Sequence, residues 1–184
     1  MKTKIFCDIA DFKTIKYFNN KSIVDGFTTN PSLMRLAGAK NYKDYSLKIL
    51  KVCKKKPISF EVFADNFKDM LNQAYEINSW GKNVYVKIPV VNSKGIFTGS
   101  VIKELSDKGI KLNITAVYTF EQVQKIYKKL NKKTKSIISI FFFFLVKEIL
   151  FLNIGSGSLP LSAILPAKME MIDLVCLFNF LNIF

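Results

Sequence analysis

Short apolar, β-branched stretches alternate along the first 141 residues with longer stretches whose apolar positions recur at helical spacing. Residues Lys4–Asp8, Ile23–Thr28, Ile58–Phe63, Asn83–Ile88, Lys111–Ile114 and Ser136–Phe141 are predicted as strands. Helices are predicted near Asp11–Asn19, Tyr42–Lys54, Asn66–Trp80, Ser100–Lys108 and Thr119–Leu130. Asp11 and Thr119 have the chemistry of helix N-caps, and Gly109 suits a helix C-terminus. Strict strand–helix alternation implies a parallel sheet, which a layered α/β fold and a (β/α)8 barrel satisfy equally. The polar residues favour the barrel. Asp8, Thr28, Glu61, Lys87, Asn113 and Thr115 fall at the C-terminal ends of different strands, the rim where barrel enzymes gather their chemistry. The expected fold is an incomplete barrel of about five and a half βα units in residues 1–141, followed by an apolar tail in 142–184.

The tail breaks the pattern. Its only charged residues are Lys147, Glu148, Lys168, Glu170 and Asp173, among runs such as FFFFLVKEILFLNI. A membrane anchor is the first reading. Lys147 and Glu148 fall near the middle of the run, where charge is costly, and the uninterrupted stretch is shorter than a span requires. A tail-anchored membrane protein with a degenerate catalytic half therefore stands only as an alternative.

The net charge of +14 comes almost entirely from lysine, with Arg35 the sole arginine. Abundant Lys, Asn and Ile fit an AT-rich coding sequence. The lysines are spread over predicted helix faces with no basic–aromatic stacking motif, so no nucleic-acid partner is expected. The absence of histidine removes Ser-His and Cys-His pairs and most metal sites, leaving carboxylates, lysine, tyrosine and hydroxyls for acid–base work. Cys7, Cys53 and Cys176 have no framework spacing, and the N-terminus MKTKIFCDIADF lacks a secretory pattern. A reducing cytoplasm is the expected compartment.

Lys87 lies inside VYVKIPV, a strand that reads as buried on both faces. A buried lysine is commonly a paired structural group. A dry setting also disfavours an ammonium and leaves the amine lone pair available to attack a ketone. Glu61 ends ISFEVF and Asp8 ends KIFCD on neighbouring strands. One is suited to moving protons through a water during imine formation, the other to taking a substrate hydroxyl proton as a carbon–carbon bond breaks. Both could instead be charge partners of Lys87. Asn30 and Thr115 could hydrogen-bond substrate hydroxyls, and Asn30 could equally cap a helix after Pro31.

At these residues the chain resembles the short, bacterial and archaeal form of the transaldolase family. The matching segments are KIFCDIAD, IVDGFTTNPSLM, ISFEVFAD, NVYVKIPV, GIKLNITAVYTFEQV and SIISIF, in family order over residues 3–141. The resemblance implies Lys87 as the Schiff-base lysine, Asp8 as the carboxylate assisting C–C cleavage and Glu61 as the proton-handling acid at the catalytic water. It implies Thr28, Asn30, Asn113 and Thr115 as substrate or water contacts, with Ser139 at the start of the phosphate site. Fructose-6-phosphate aldolases, a sister branch, carry Gln and Tyr where this chain has Glu61 and Phe141. The resemblance thus favours transfer of a three-carbon ketol unit between sugar phosphates of the fructose 6-phosphate and erythrose 4-phosphate class, in the pentose phosphate pathway, with a fructose-6-phosphate-aldolase-like enzyme as the alternative. No metal or cofactor is expected, because a protonated imine is its own electron sink. A homo-oligomer is possible for the intact family, through C-terminal helices this chain lacks.

After SIISIF the family continues with AGRIAD, whose arginine binds substrate phosphate, and with two further strand–helix units. This chain departs from that pattern. Back-translating Gly155–Phe184 with permissible codons, such as CTT-CCA-GCA for Leu165–Ala167, and reading the opposite strand one base out of frame gives KIFKKLNKQTKSIISIF followed by AGRIADKGKDPDP. The first string reproduces Lys125–Phe141 except at Tyr127 and Lys133; the second is the missing family continuation. Residues from about 142 onward are therefore expected to be antisense or chimeric translation, with strands one and six left as open edges and activity weak or absent.

Overall fold

The computed structural model describes residues 4–140 and the strand Ile172–Cys176. The predicted strand end at Phe141 and the rest of the tail lie outside the described residues, and with them the anchor reading. Among the described residues no helix is long and apolar enough to cross a membrane.

The order is β1 (Phe6–Asp8), α1 (Phe12–Asn19), β2 (Gly26–Thr28), α2 (Pro31–Leu36), α3 (Tyr42–Val52), β3 (Ile58–Glu61) and α4 (Phe67–Ser79). Then follow β4 (Val84–Pro89), α5 (Gly99–Asp107), β5 (Leu112–Val117), α6 (Phe120–Tyr127), β6 (Ser136–Ile140) and β7 (Ile172–Cys176). Every strand pairs in parallel with the next, so the sheet runs β1 to β7 in chain order. Six βα-ordered strands curl into part of a barrel with the helices outside, as the alternation predicts.

One corrected expectation concerns the edge at strand six. Residues Ile172–Cys176 pair along Ser136–Ile140 in continuous parallel register. The exposed backbone groups of β6 thus find partners in a short segment of β-forming composition, and the open edges among the described residues are β1 and β7.

Burial separates the two faces of the sheet. The outward side packs under the helices in one core that includes Phe27, Ile58, Phe60, Val84, Val86, Ile88, Leu112 and Ile114. Helix α4 meets it with Met70, Ala74 and Ile77, one stripe at helical spacing. The concave side holds a small apolar layer of Phe6, Tyr85 and Ile137 at the N-terminal end. Gly26 makes room there, since a Cβ would stand 2.3 Å from the Phe6 ring. Above that layer, toward the strand C-termini, the concave side turns polar.

The caps follow the sequence. The Asp11 side chain accepts the Thr14 N–H at 2.8 Å, Thr119 forms a reciprocal capping box with Gln122, and Gly109 takes φ +75° after α5. Helix α2 is outside the five predicted helical spans and is the helix that the capping alternative for Asn30 implies.

Candidate functional site

Parallel register builds the site. Asp8 stands beside Thr28, Thr28 beside Ser59, Glu61 beside Lys87, and Lys87 beside Asn113. Paired residues of parallel strands point the same way, so these side chains converge on the concave face near the strand C-termini.

Lys87 is only 4% exposed. Its amine donates to the Thr29 carbonyl at 3.2 Å and lies 3.5 Å from Glu61 Oε2. The second distance describes an ion pair rather than a tight hydrogen bond. Burial pushes the Glu61 carboxyl above the ordinary carboxylate range; the Lys87 charge pulls the other way, and Asp8 adds a smaller push upward. Desolvation wins over the ion pair, so Glu61 holds a proton more readily than a solvated carboxyl does.

Around this pair lie three hydroxyl and amide contacts. Thr28 Oγ1 donates to Asp8 Oδ1 at 2.8 Å, fixing that carboxylate at the end of β1. Asn113 Nδ2 donates to Ser59 Oγ at 3.0 Å, and Ser139 Oγ donates to Asn113 Oδ1 at 2.7 Å. Ser59, Asn113 and Ser139 are fully or almost fully buried. A chain of hydrogen bonds therefore crosses from β3 through β5 to β6 beside the amine.

Two further anticipated contacts are Asn30 and Thr115. Asn30 Oδ1 accepts the Leu33 N–H at 2.8 Å, so it caps α2, with Pro31 in the first helical position. The capping alternative for Asn30 is the one present, and it occupies only the amide oxygen. Thr115 is buried beyond Asn113 on β5, opposite Pro89. There the pairing with β6 slips between Ile114 and Val117, and Ala116 adopts φ +58°. A bulge at the end of β5 redirects the strand next to Thr115.

Three participants carry no signal that sequence reasoning used. Thr29 acts through its backbone carbonyl. Ser59 sits two residues before Glu61, so strand alternation puts it on the same face. Tyr42, at the start of α3, accepts the Glu61 backbone N–H on its phenol oxygen at 2.8 Å.

A cavity of about 670 Å³ lies at the other end of the strands, lined by Lys4, Lys54, Lys55, Lys82, Lys111 and Lys135 around Phe6 and Tyr85. It contains none of the paired acids. The convergence of Lys87, Glu61, Asp8 and Asn113, not cavity size, marks the candidate site.

A family model described as Transaldolase/Fructose-6-phosphate aldolase matches residues 5–143. A probable transaldolase of Nitrosopumilus maritimus (strain SCM1) is 38% identical over 119 residues, covering 65% of this chain and 51% of that relative. A probable transaldolase of Streptococcus agalactiae serotype V is 36% identical over 121 residues, with 65% and 53% covered. The chain thus spans about half the length of the curated relatives it matches. Among solved structures, a dihydrodipicolinate synthase family protein from Coccidioides immitis superposes with a TM-score of 0.60 at 16% identity, covering 94% of this chain and 59% of that one. A sialic acid aldolase from Ruminococcus gnavus reaches a TM-score of 0.50 at 13% identity, over 85% of this chain and 60% of that one. At those identities the likeness speaks to the fold.

Proposed function

The chain belongs to the Transaldolase/Fructose-6-phosphate aldolase family, and on that premise we propose that Lys87 forms a Schiff base with a ketose and carries a dihydroxyacetone unit between sugar phosphates. The supporting observation is the buried Lys87 amine, held between the Thr29 carbonyl and the Glu61 carboxyl, with Asp8 on the same face. In this reading the amine attacks the ketose C2 carbonyl to give a carbinolamine. Glu61, working through a water, delivers the proton that lets hydroxide leave as water, and the imine forms. Asp8 takes the proton from the C4 hydroxyl while the C3–C4 bond breaks. The bonding electrons pass into the imine, giving an enamine on Lys87 and a free aldehyde. Addition of the enamine to a second aldehyde, then hydrolysis, returns the lysine. The protonated imine takes up the electrons, so the proposed steps need no metal or cofactor.

Asn113, Ser139, Thr28, Asn30 and Thr115 are assigned to substrate hydroxyls, the catalytic water and the start of the phosphate site. Glu61 favours transfer over simple aldol cleavage, since the fructose-6-phosphate aldolase branch resembles this chain but carries Gln there. The proposed setting is the pentose phosphate pathway in the cytoplasm. The family's phosphate-binding arginine has no counterpart after Phe141, so phosphate affinity and turnover are weakened most, and imine formation least.

Borohydride reduction in the presence of dihydroxyacetone or fructose 6-phosphate, followed by peptide mass mapping, tests this. A reduced adduct is expected on Lys87 and absent from Lys87→Ala. An adduct spread over surface lysines, or none on Lys87, would sink the assignment.

A further inference from the structure

The ladder between β2 and β3 stops one rung early, and it does so at the lysine. Phe27 donates to the Pro57 carbonyl at 2.9 Å and Thr29 to the Ser59 carbonyl at 3.1 Å. In a parallel ladder the next rung is the Glu61 N–H to the Thr29 carbonyl. That rung is exchanged for two others. The Glu61 N–H goes to the Tyr42 hydroxyl at 2.8 Å, and the Thr29 carbonyl accepts the Lys87 amine at 3.2 Å.

We infer that Tyr42 is a positioning residue that substitutes for a strand carbonyl, releasing the Thr29 oxygen to hold the Lys87 amine. The phenol is anchored for this task. Its ring meets Phe63 edge-on at 4.5 Å and lies 6.0 Å from the Trp80 ring. Its hydroxyl also interacts with the Thr29 side chain, whose Oγ1 donates to the Ser59 carbonyl at 2.8 Å. One side chain from α3 thus joins the ends of β2 and β3 at the two residues that touch Lys87. Burial and the nearby Glu61 charge both push the phenol's ionisation upward, so it stays a neutral hydroxyl.

Without the hydroxyl, the Glu61 N–H is left without its acceptor at a part-buried position. The nearest remedy is the Thr29 carbonyl, which Glu61 then shares with or takes from the amine. Lys87 becomes less firmly held, and Glu61 moves with its backbone.

Tyr42→Phe tests this in the full chain, with Tyr45→Phe as the matched control. Tyr45 lies one turn on in the same helix, and its hydroxyl reaches the Ala10 and Ala37 carbonyls at 3.1 and 3.3 Å, with no contact to Lys87. The first readout is reductive methylation by formaldehyde and cyanoborohydride, measured at Lys87 relative to exposed Lys43 in the same digest. Tyr42→Phe is expected to raise Lys87 labelling by about three- to tenfold over both wild type and Tyr45→Phe, the scale of one lost hydrogen bond to a charged group. Protection of the buried Cys53 thiol from alkylation should be unchanged, which separates this from general loosening. The second readout, borohydride trapping with dihydroxyacetone, is expected to fall about tenfold in Tyr42→Phe only. Equal Lys87 labelling in the two variants would overturn the inference.

The part of the inference that concerns catalysis rests on the Schiff-base reading; the exchanged rung does not. If Tyr42→Phe raises Lys87 labelling as expected but wild type never traps dihydroxyacetone at Lys87, the enzymatic assignment fails and the Tyr42 contact stands.

Discussion

Glu61 places a carboxyl where its charge is costly, and that cost has a pH signature. Burial raises its folded-state pKa above the ordinary 4.5. The folded state therefore binds the proton more tightly than the unfolded chain does. The stability this contributes is fully present below the unfolded value and is lost as pH rises through the folded one. Glu61→Gln removes that dependence. The difference in unfolding free energy between the variant and wild type is expected to move in the variant's favour as pH rises from 4.5 toward Glu61's raised value, read from denaturant melts across that range. A constant difference would mean that the carboxyl is not buried as described. The same contrast explains what could be read from the chain. Lys87, Glu61 and Asp8 were legible because a charged side chain at the end of an apolar strand demands a reason. Thr29, Ser59 and Tyr42 were not. A backbone carbonyl has no identity in the sequence, a serine in a strand is unremarkable, and a tyrosine opening an amphipathic helix reads as core. Asn30 was legible both as contact and as cap, and local chemistry alone did not choose between them.

Elements were legible where propensity, capping and burial agree. The Asn66-capped helix Phe67–Ser79 lies within its predicted span because its cap, apolar stripe and end coincide. Helix α2 is six residues long, too short for periodicity to announce it; only its Asn-Pro start gave a hint. Strand β5 runs on to Val117, past its predicted end at Ile114, because the bulge carries pairing beyond the apolar run. Two substitutions test these local balances by thermal or denaturant melting. Thr119→Ala removes half of the α6 capping box and is expected to cost about 1 kcal/mol. Ala116→Gly relieves a left-handed backbone at φ +58°. The relief of about 1 kcal/mol is partly offset by the added freedom of the unfolded chain, so a gain of up to about 1 kcal/mol is expected. Loss of stability in Ala116→Gly would show that the Ala116 methyl packs more usefully than its backbone is strained.

At the scale of the whole molecule, six consecutive parallel strands assemble every acid and amide proposed around the lysine, yet among the described residues the sheet does not return to β1. A barrel's concave face is shielded by the strands that complete it; here that shielding is not supplied by residues of the family pattern. The segment Ile172–Cys176 satisfies the edge of β6 by backbone pairing, which any short β-forming segment can do. Backbone pairing therefore says nothing about whether the tail was selected for this fold. The codons can say so. If residues beyond about 142 arise from antisense reading, the gene contains an inverted copy of the stretch encoding Lys125–Phe141, followed in sense orientation by the strands the family expects. Long-read sequencing across the locus is expected to find either that inverted repeat in single molecules or an uninterrupted barrel gene from which a chimeric read was assembled. In both cases AGRIAD is expected to follow SIISIF in the opposite or the repaired strand, bringing the arginine that the proposed phosphate site lacks. A locus that encodes the apolar tail directly after SIISIF in single molecules, with neither an inverted copy nor an uninterrupted barrel gene, would overturn the antisense reading. The apolar tail would then be an inherited part of the protein, and the cover it gives β6 a feature of the fold in its own right.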